Sequence, residues 1–76
     1  MHSDNAFVER LLRDDEVRAI TGLSRTVRWR LARQGKFPKP IAITNRLHGW
    51  KLSDIQRWIA ERIAASEARQ RGEDAR

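Results

Sequence analysis

Arg25, Arg28, Arg30 and Arg33 fall within one stretch, Arg25 to Gln34, that contains no helix breaker and also holds Thr26 and Trp29. A guanidinium is a planar fork that bonds two-point fashion to a phosphate or to the O6/N7 edge of guanine, and a threonine can bond a base or touch a thymine methyl. The chemistry open to such a set is recognition of nucleic acid. Catalysis fits poorly. Asp14, Asp15 and Glu16 are adjacent carboxylates, but neighbours on a helix point in different directions and no nucleophile and base stand beside them. Gly22, Gly35, Gly49 and Gly72 are scattered and form no phosphate-cradling loop. With no cysteine, and with His2 and His48 far apart as the only histidines, neither a disulfide framework nor a zinc site is expected. No cofactor, metal ligand or catalytic residue is assigned.

The rest of the chain shares this bias. Its 76 residues carry sixteen Lys and Arg against ten Asp and Glu, a formal charge of +6, with a sequence pI near 11.3. Lys36, Lys39 and Lys51 are the only lysines, so the excess is arginine, which favours nucleic acid over a membrane surface. No apolar run is long enough to cross a bilayer, and the N-terminal residues lack the organisation of a secretory signal, which gives a cytoplasmic expectation. A chain this short makes one domain whose core must hold by packing.

The elements that would position the arginines can be traced along the chain. Residues 1–9 are expected to form a flexible arm, with Phe7 as its first anchored side chain. Arg10 to Arg13 reads as an extended lead-in. Asp14 suits a helix N-cap, and Asp15 and Glu16 then meet the positive end of a first helix that runs to Thr21, with Val17 and Ile20 inward and Gly22 as its stop. Leu23 and Ser24 leave a turn so short that the next helix must cross the first. Ser24 caps that second helix, Arg25 to Gln34, and Gly35 closes it.

Lys36-Phe37-Pro38-Lys39-Pro40 cannot continue a helix, because each proline removes a donor and restrains its predecessor. Ile41-Ala42-Ile43 and Leu47-His48-Gly49-Trp50 are β-prone runs around a polar tip, Thr44-Asn45-Arg46, and predict a hairpin. A third helix starts near Ser53 with a stripe of Leu52, Ile55, Trp58, Ile59 and Ile63. The predicted class is mainly α with a small β-hairpin, a winged helix-turn-helix of three helices plus wing. The domain spans 10–65, and 66–76 form a polar tail or helix extension.

At about 100° per residue, Val27, Arg28, Leu31 and Ala32 share the inner arc of the second helix, while Arg25, Thr26, Trp29, Arg30 and Arg33 share the outer one. A major groove admits one α-helix, and residues near its entering end reach base edges most easily. Arg25, Thr26 and Arg30 are therefore expected at base edges of double-stranded DNA, and Arg33 and Ser24 at phosphates. Trp29 is expected on the DNA-contacting face as well, with packing on a neighbouring side chain or on the lead-in strand as its alternative. Trp50 and Trp58 are expected in the core. Arg28 sits in the apolar arc, so its guanidinium must escape at the edge, and so join the DNA face, or pair with an acid of the first helix. The hairpin supplies Thr44, Asn45 and Arg46, flanked by Lys36, Lys39 and Lys51, for a neighbouring phosphate or minor groove.

The ordered series Arg10-Leu11-Leu12-Arg13, Glu16-Val17, Thr21-Gly22-Leu23-Ser24-Arg25, Trp29-Arg30-Leu31, Gly35-Lys36-Phe37-Pro38-Lys39-Pro40, Arg46, Gly49-Trp50 and Ser53-Asp54-Ile55 to Trp58-Ile59 resembles the AlpA-type regulators. These are small winged-helix proteins of prophages and other mobile elements, akin to phage excisionases and MerR DNA-binding domains. The match covers roughly residues 10 to 63. The resemblance implies a recognition helix from Ser24 to Gln34 and a wing centred on Arg46. It also implies a role in switching on genes of an integrated element or in directing an integrase toward excision, with DNA bending and tandem binding. Arg28 departs from the pattern, which has a branched apolar residue there and a small polar one at Val27. A small winged helix can instead dock on an integrase or polymerase, and salt dependence separates that alternative from DNA binding.

Overall fold

The computed structural model describes residues 8–74, with the side chains of 73 and 74 excluded, so His2 and the proposed anchor Phe7 lie outside the described residues. The order is β1 (Leu11–Leu12), α1 (Asp14–Thr21), α2 (Arg25–Arg33), β2 (Ile41–Ala42), β3 (His48–Lys51) and α3 (Leu52–Asp74). Among the described residues, three helices and a small antiparallel sheet make a winged helix-turn-helix, as predicted.

Helix α1 begins one residue earlier than expected. Arg13, not Asp14, is the cap residue, and the Glu16 carboxylate turns back to accept the Arg13 amide at 2.8 Å. The three carboxylates Asp14, Asp15 and Glu16 thus occupy the first turn, where the helix dipole favours them. Gly22 ends the helix at φ 76°, a left-handed conformation that a Cβ would strain, and its N–H donates to the Arg18 carbonyl at 2.8 Å. Val17 is fully buried, but Ile20 is 46% exposed and is not the core residue that its spacing predicted. Val17 and Ile20 share a face of α1, but the core covers only the Val17 part of it.

The lead-in becomes β1 and pairs with β3 (Leu11 with Lys51, Leu12 with Trp50), while β2 pairs with the other edge of β3 (Ile41 with Gly49, Ala42 with His48). The predicted hairpin is therefore two strands of a three-stranded sheet. Gly49 lies where the strands come closest: a Cβ there would meet the Leu12 carbonyl oxygen and Ile43 Cδ1, each at 2.8 Å. Below the sheet, Leu12, Val17, Ala32, Phe37, Trp50 and Ile55 form the core, flanked by Leu23, Leu31, Leu52, Trp58 and Ile59. Full burial of a Leu, Val or Ile side chain contributes roughly 1.5–3 kcal/mol, so loss of any of Leu12, Val17 or Ile55 would matter in so small a core.

Helix α3 follows β3 without a loop. Ser53 is not its cap. The Glu9 carboxylate accepts the Ser53 amide at 3.2 Å and the Ser53 hydroxyl at 2.7 Å, and the Arg10 carbonyl accepts the Leu52 amide at 2.8 Å. The Ser53 hydroxyl chiefly, with help from backbone amides and the Lys51 charge, holds the Glu9 carboxyl below its usual range. The helix runs through Gly72 to Asp74, beyond the point where fraying was expected. Past Ile59 its described side chains are exposed, and Ile63, at 54%, lies outside the core stripe it was predicted to join. Among the described residues no helix is long and apolar enough to cross a membrane.

Candidate nucleic-acid interface

Helix α2 owes its placement to its two ends and to two buried side chains, Ala32 in the core and Arg28 beside it. Ser24, in extended conformation, accepts the Val27 amide on its hydroxyl at 3.3 Å, the predicted cap. Gln34 and Gly35 close the far end. Between them, Arg28 is the centre of the inward face rather than its edge: the residue is 1% exposed. Its Nε donates to the Leu23 carbonyl at 3.1 Å and its Nη1 to Asp14 Oδ1 at 2.9 Å. The guanidinium carbon lies 5.5 Å from the centroid of Trp50. One arginine thus joins α1, the turn and α2, and fixes how the two helices cross.

The place of Arg28 among the DNA-facing residues is corrected accordingly. Of its two predicted fates, pairing with an acid of α1 is the observed one, because a guanidinium enclosed by protein can be held only where a carboxylate and a carbonyl meet it. Asp14 answers the pairing: the Arg28 hydrogen bond, and then the charges of Arg28, Arg25 and Arg18, hold its carboxyl below the usual range. Arg28 Nη2 has no hydrogen-bond partner among the described residues.

The outer face carries Arg25, Thr26, Arg30 and Arg33, all exposed. Arg30 and Arg33 form no ion pair among the described residues, so their charge is directed to solvent. Arg25 is 69% exposed at its side chain, lies 3.9 Å from Asp14 Oδ1, and covers the ring of Trp29 with its guanidinium carbon 5.4 Å from the centroid. Trp29 is half-buried, stands edge-on to Trp50 with centroids 6.3 Å apart, and has an enclosed, unpartnered indole N–H. The ring supports a neighbour and offers no donor to an incoming ligand.

The Gly35 and Lys36 amides bond back to α2, but Pro38 and Pro40 offer no donor, and two indoles tie the rest of the segment down. Trp58 donates to the Lys36 carbonyl at 2.8 Å and Trp50 to the Pro38 carbonyl at 3.0 Å, while Phe37 is buried edge-on against Trp58. Trp50 is fully in the core, whereas Trp58 is only half-buried at its margin. These bonds hold the hairpin beside α2 and leave Lys36 and Lys39 exposed. At the tip, Thr44 accepts the Arg46 and Leu47 amides on its hydroxyl, both at 3.1 Å, so this residue shapes the turn that presents Asn45 and Arg46 to solvent. Lys51 sits apart, on the β1 side of β3, where its charge acts on Glu9.

Between α2 and the hairpin lies an open notch of about 470 Å³ lined by Trp29, Ala32, Arg33, Lys39, Pro40 and His48. Its lining includes an arginine, a lysine and an imidazole and, among the described residues, no acid. His48 was not among the predicted site residues, and only its alternation in the hairpin, on the outward side next to buried Gly49, could have suggested it.

A two-helix unit that turns an arginine face outward, with a basic hairpin alongside, defines the class: a winged helix-turn-helix. The chain belongs to the AlpA family. The family described as Prophage CP4-57 regulatory protein (AlpA) matches residues 10–63. A protein of Enterobacteria phage P4, "Uncharacterized protein ORF88", is 40% identical over 67 residues, which span 88% of this chain and 73% of the phage protein.

Proposed function

We propose that the protein is a sequence-specific double-stranded DNA-binding regulator of a mobile genetic element, with α2 in the major groove and the hairpin on the adjacent backbone. The observation that carries this reading is the division of α2: Arg28 is locked inward, while Arg25, Thr26, Arg30 and Arg33 remain exposed on the other side of the same rigid rod. Arg25, Thr26 and Arg30 contact base edges. Ser24 and Arg33 serve phosphates, and the acid-free notch receives the strand that separates the groove under α2 from the one under the wing. Asn45 and Arg46 reach the next groove or phosphate, with Thr44 setting their turn, and Lys36 and Lys39 add nonspecific attraction.

Family membership supports regulation of an integrated element, either as an excisionase that directs an integrase or as a transcriptional regulator. A monomer this small covers little DNA, which favours side-by-side binding of several copies. Titration of duplex DNA at rising salt tests the core of the proposal. Binding should weaken with a log-log slope of about −0.9 per phosphate neutralised. Arg25→Ala should erode discrimination between sequences, and Arg33→Ala should weaken all sequences alike. Footprinting across the element's attachment site and promoters separates excision from transcription.

A second reading, docking on an integrase or polymerase, draws on a mixed-charge groove of about 690 Å³ between the Lys36 to Lys39 segment and α3, with Trp58 in its lining. It predicts partner binding that is indifferent to salt and to loss of Arg30 and Arg33.

A further inference from the structure

Five side chains close a ring of contacts around the start of α2. Asp14 Oδ1 meets Arg28 Nη1 at 2.9 Å and Arg25 Nη1 at 3.9 Å. The Arg25 guanidinium lies over Trp29, Trp29 stands edge-on to Trp50, and Trp50 lies under the guanidinium of Arg28. Arg25 and Trp29 are one helical turn apart on the same strip of α2, so the stacking needs no distortion of the helix. A free arginine has many rotamers and loses them when it binds, whereas one already held between a ring face and a carboxylate loses fewer. The ring face and the carboxylate still leave this side chain largely exposed, with a fork free to reach outward. Arg28 is what joins the two supports, since it bonds Asp14 and lies over the Trp50 ring that carries Trp29.

We infer that Trp29 and Asp14, held in register by Arg28 and Trp50, are positioning residues that set the direction of the Arg25 guanidinium, so that Trp29 governs sequence discrimination through Arg25 without contacting DNA. The inference rests on the DNA-binding reading above and adds to it the origin of specificity.

The test uses the full chain, a duplex enriched from a random library by the wild-type protein, and its base-shuffled counterpart. The quantity read is the ratio of the two affinities. Trp29→Leu should lower that ratio by about tenfold, the order of one two-point base contact, at unchanged salt slope. Trp29→Phe, which keeps a ring face, should retain most of it. In an Arg25→Ala background Trp29→Leu should cost nothing further, because coupled residues are non-additive. Thermal melts report whether Trp29→Leu is folded. In the free wild-type protein the Arg25 side-chain resonances should be displaced upfield by the Trp29 ring current, a measurement that needs no variant.

An equal loss for Trp29→Leu with and without Arg25, a reduced salt slope, or Arg25 resonances at their unstructured positions would overturn the inference while leaving the DNA-binding reading intact. A wild-type chain that binds both duplexes equally would remove sequence-specific recognition and this inference together.

Discussion

Arg28 and Arg30 stand two residues apart on α2 and have opposite fates. Arg28 is shut inside the molecule with a carboxylate, a carbonyl and an indole around it, while Arg30 is exposed and unpaired among the described residues. The same side chain is thus a strut on one face of a rod and a free charge on the other. Burial decides which. In a low-dielectric interior an unpaired charge is expensive, so the inner arginine is committed to its partners; in water the outer one costs almost nothing to leave free for a polyanion.

This contrast can be broken by experiment. Arg28→Ala removes a buried strut and leaves a void, and should destabilise the fold by about 3 kcal/mol, a fall in Tm of roughly 12–24 °C for a domain this size, whereas Arg30→Ala should stay within about 0.5 kcal/mol. Equal melting temperatures for the two variants would erase the distinction. Arg28→Met keeps most of the volume and lets half-exposed Asp14 return to water, so it should lose only about 1 kcal/mol.

Gly49→Ala sharpens the comparison from the hairpin side. A methyl placed 2.8 Å from both the Leu12 carbonyl and Ile43 should cost about 2 kcal/mol by chemical denaturation, since only the Ile43 end can give way. Ser24→Ala, which removes the cap over Val27, should cost about 1 kcal/mol. The smallest effect is in acid. The Asp14 carboxyl is held below its usual range, chiefly by the Arg28 hydrogen bond, so its contribution is fully present above the unfolded value near 4 and is lost as pH falls through the lower folded value. Denaturant midpoints should therefore decline below about pH 4, and Asp14→Asn should flatten that decline. A decline of the same depth in Asp14→Asn would point to other carboxylates.

The extent to which the site was legible follows from the range of the signals. Ser24 and Gly35 bracket α2 through bonds made within a turn or two, and the prolines at 38 and 40 forbid a helix by their own geometry; such local features can be read from the chain. Ile20 and Ile63 carry the right spacing yet are exposed, because periodicity tells which residues share a face and not how far that face is covered. The capping of α3 by Glu9 and the entry of β1 into the sheet were out of reach, since their partners lie more than forty and thirty residues away respectively, as seen in the Glu9 bond to Ser53 and the pairing of Leu12 with Trp50.

By itself the sequence determined the order of elements, the helix-turn-helix, the hairpin and the excess of arginine, because capping, turn chemistry and charge act over a few bonds. Only tertiary structure decided that Arg28 faces inward to Asp14, that Trp29 lies beneath Arg25, and that His48 joins Arg33 and Lys39 around one notch. These are meetings between residues on different elements or different turns, and their outcome depends on which desolvation cost the packed molecule can offset.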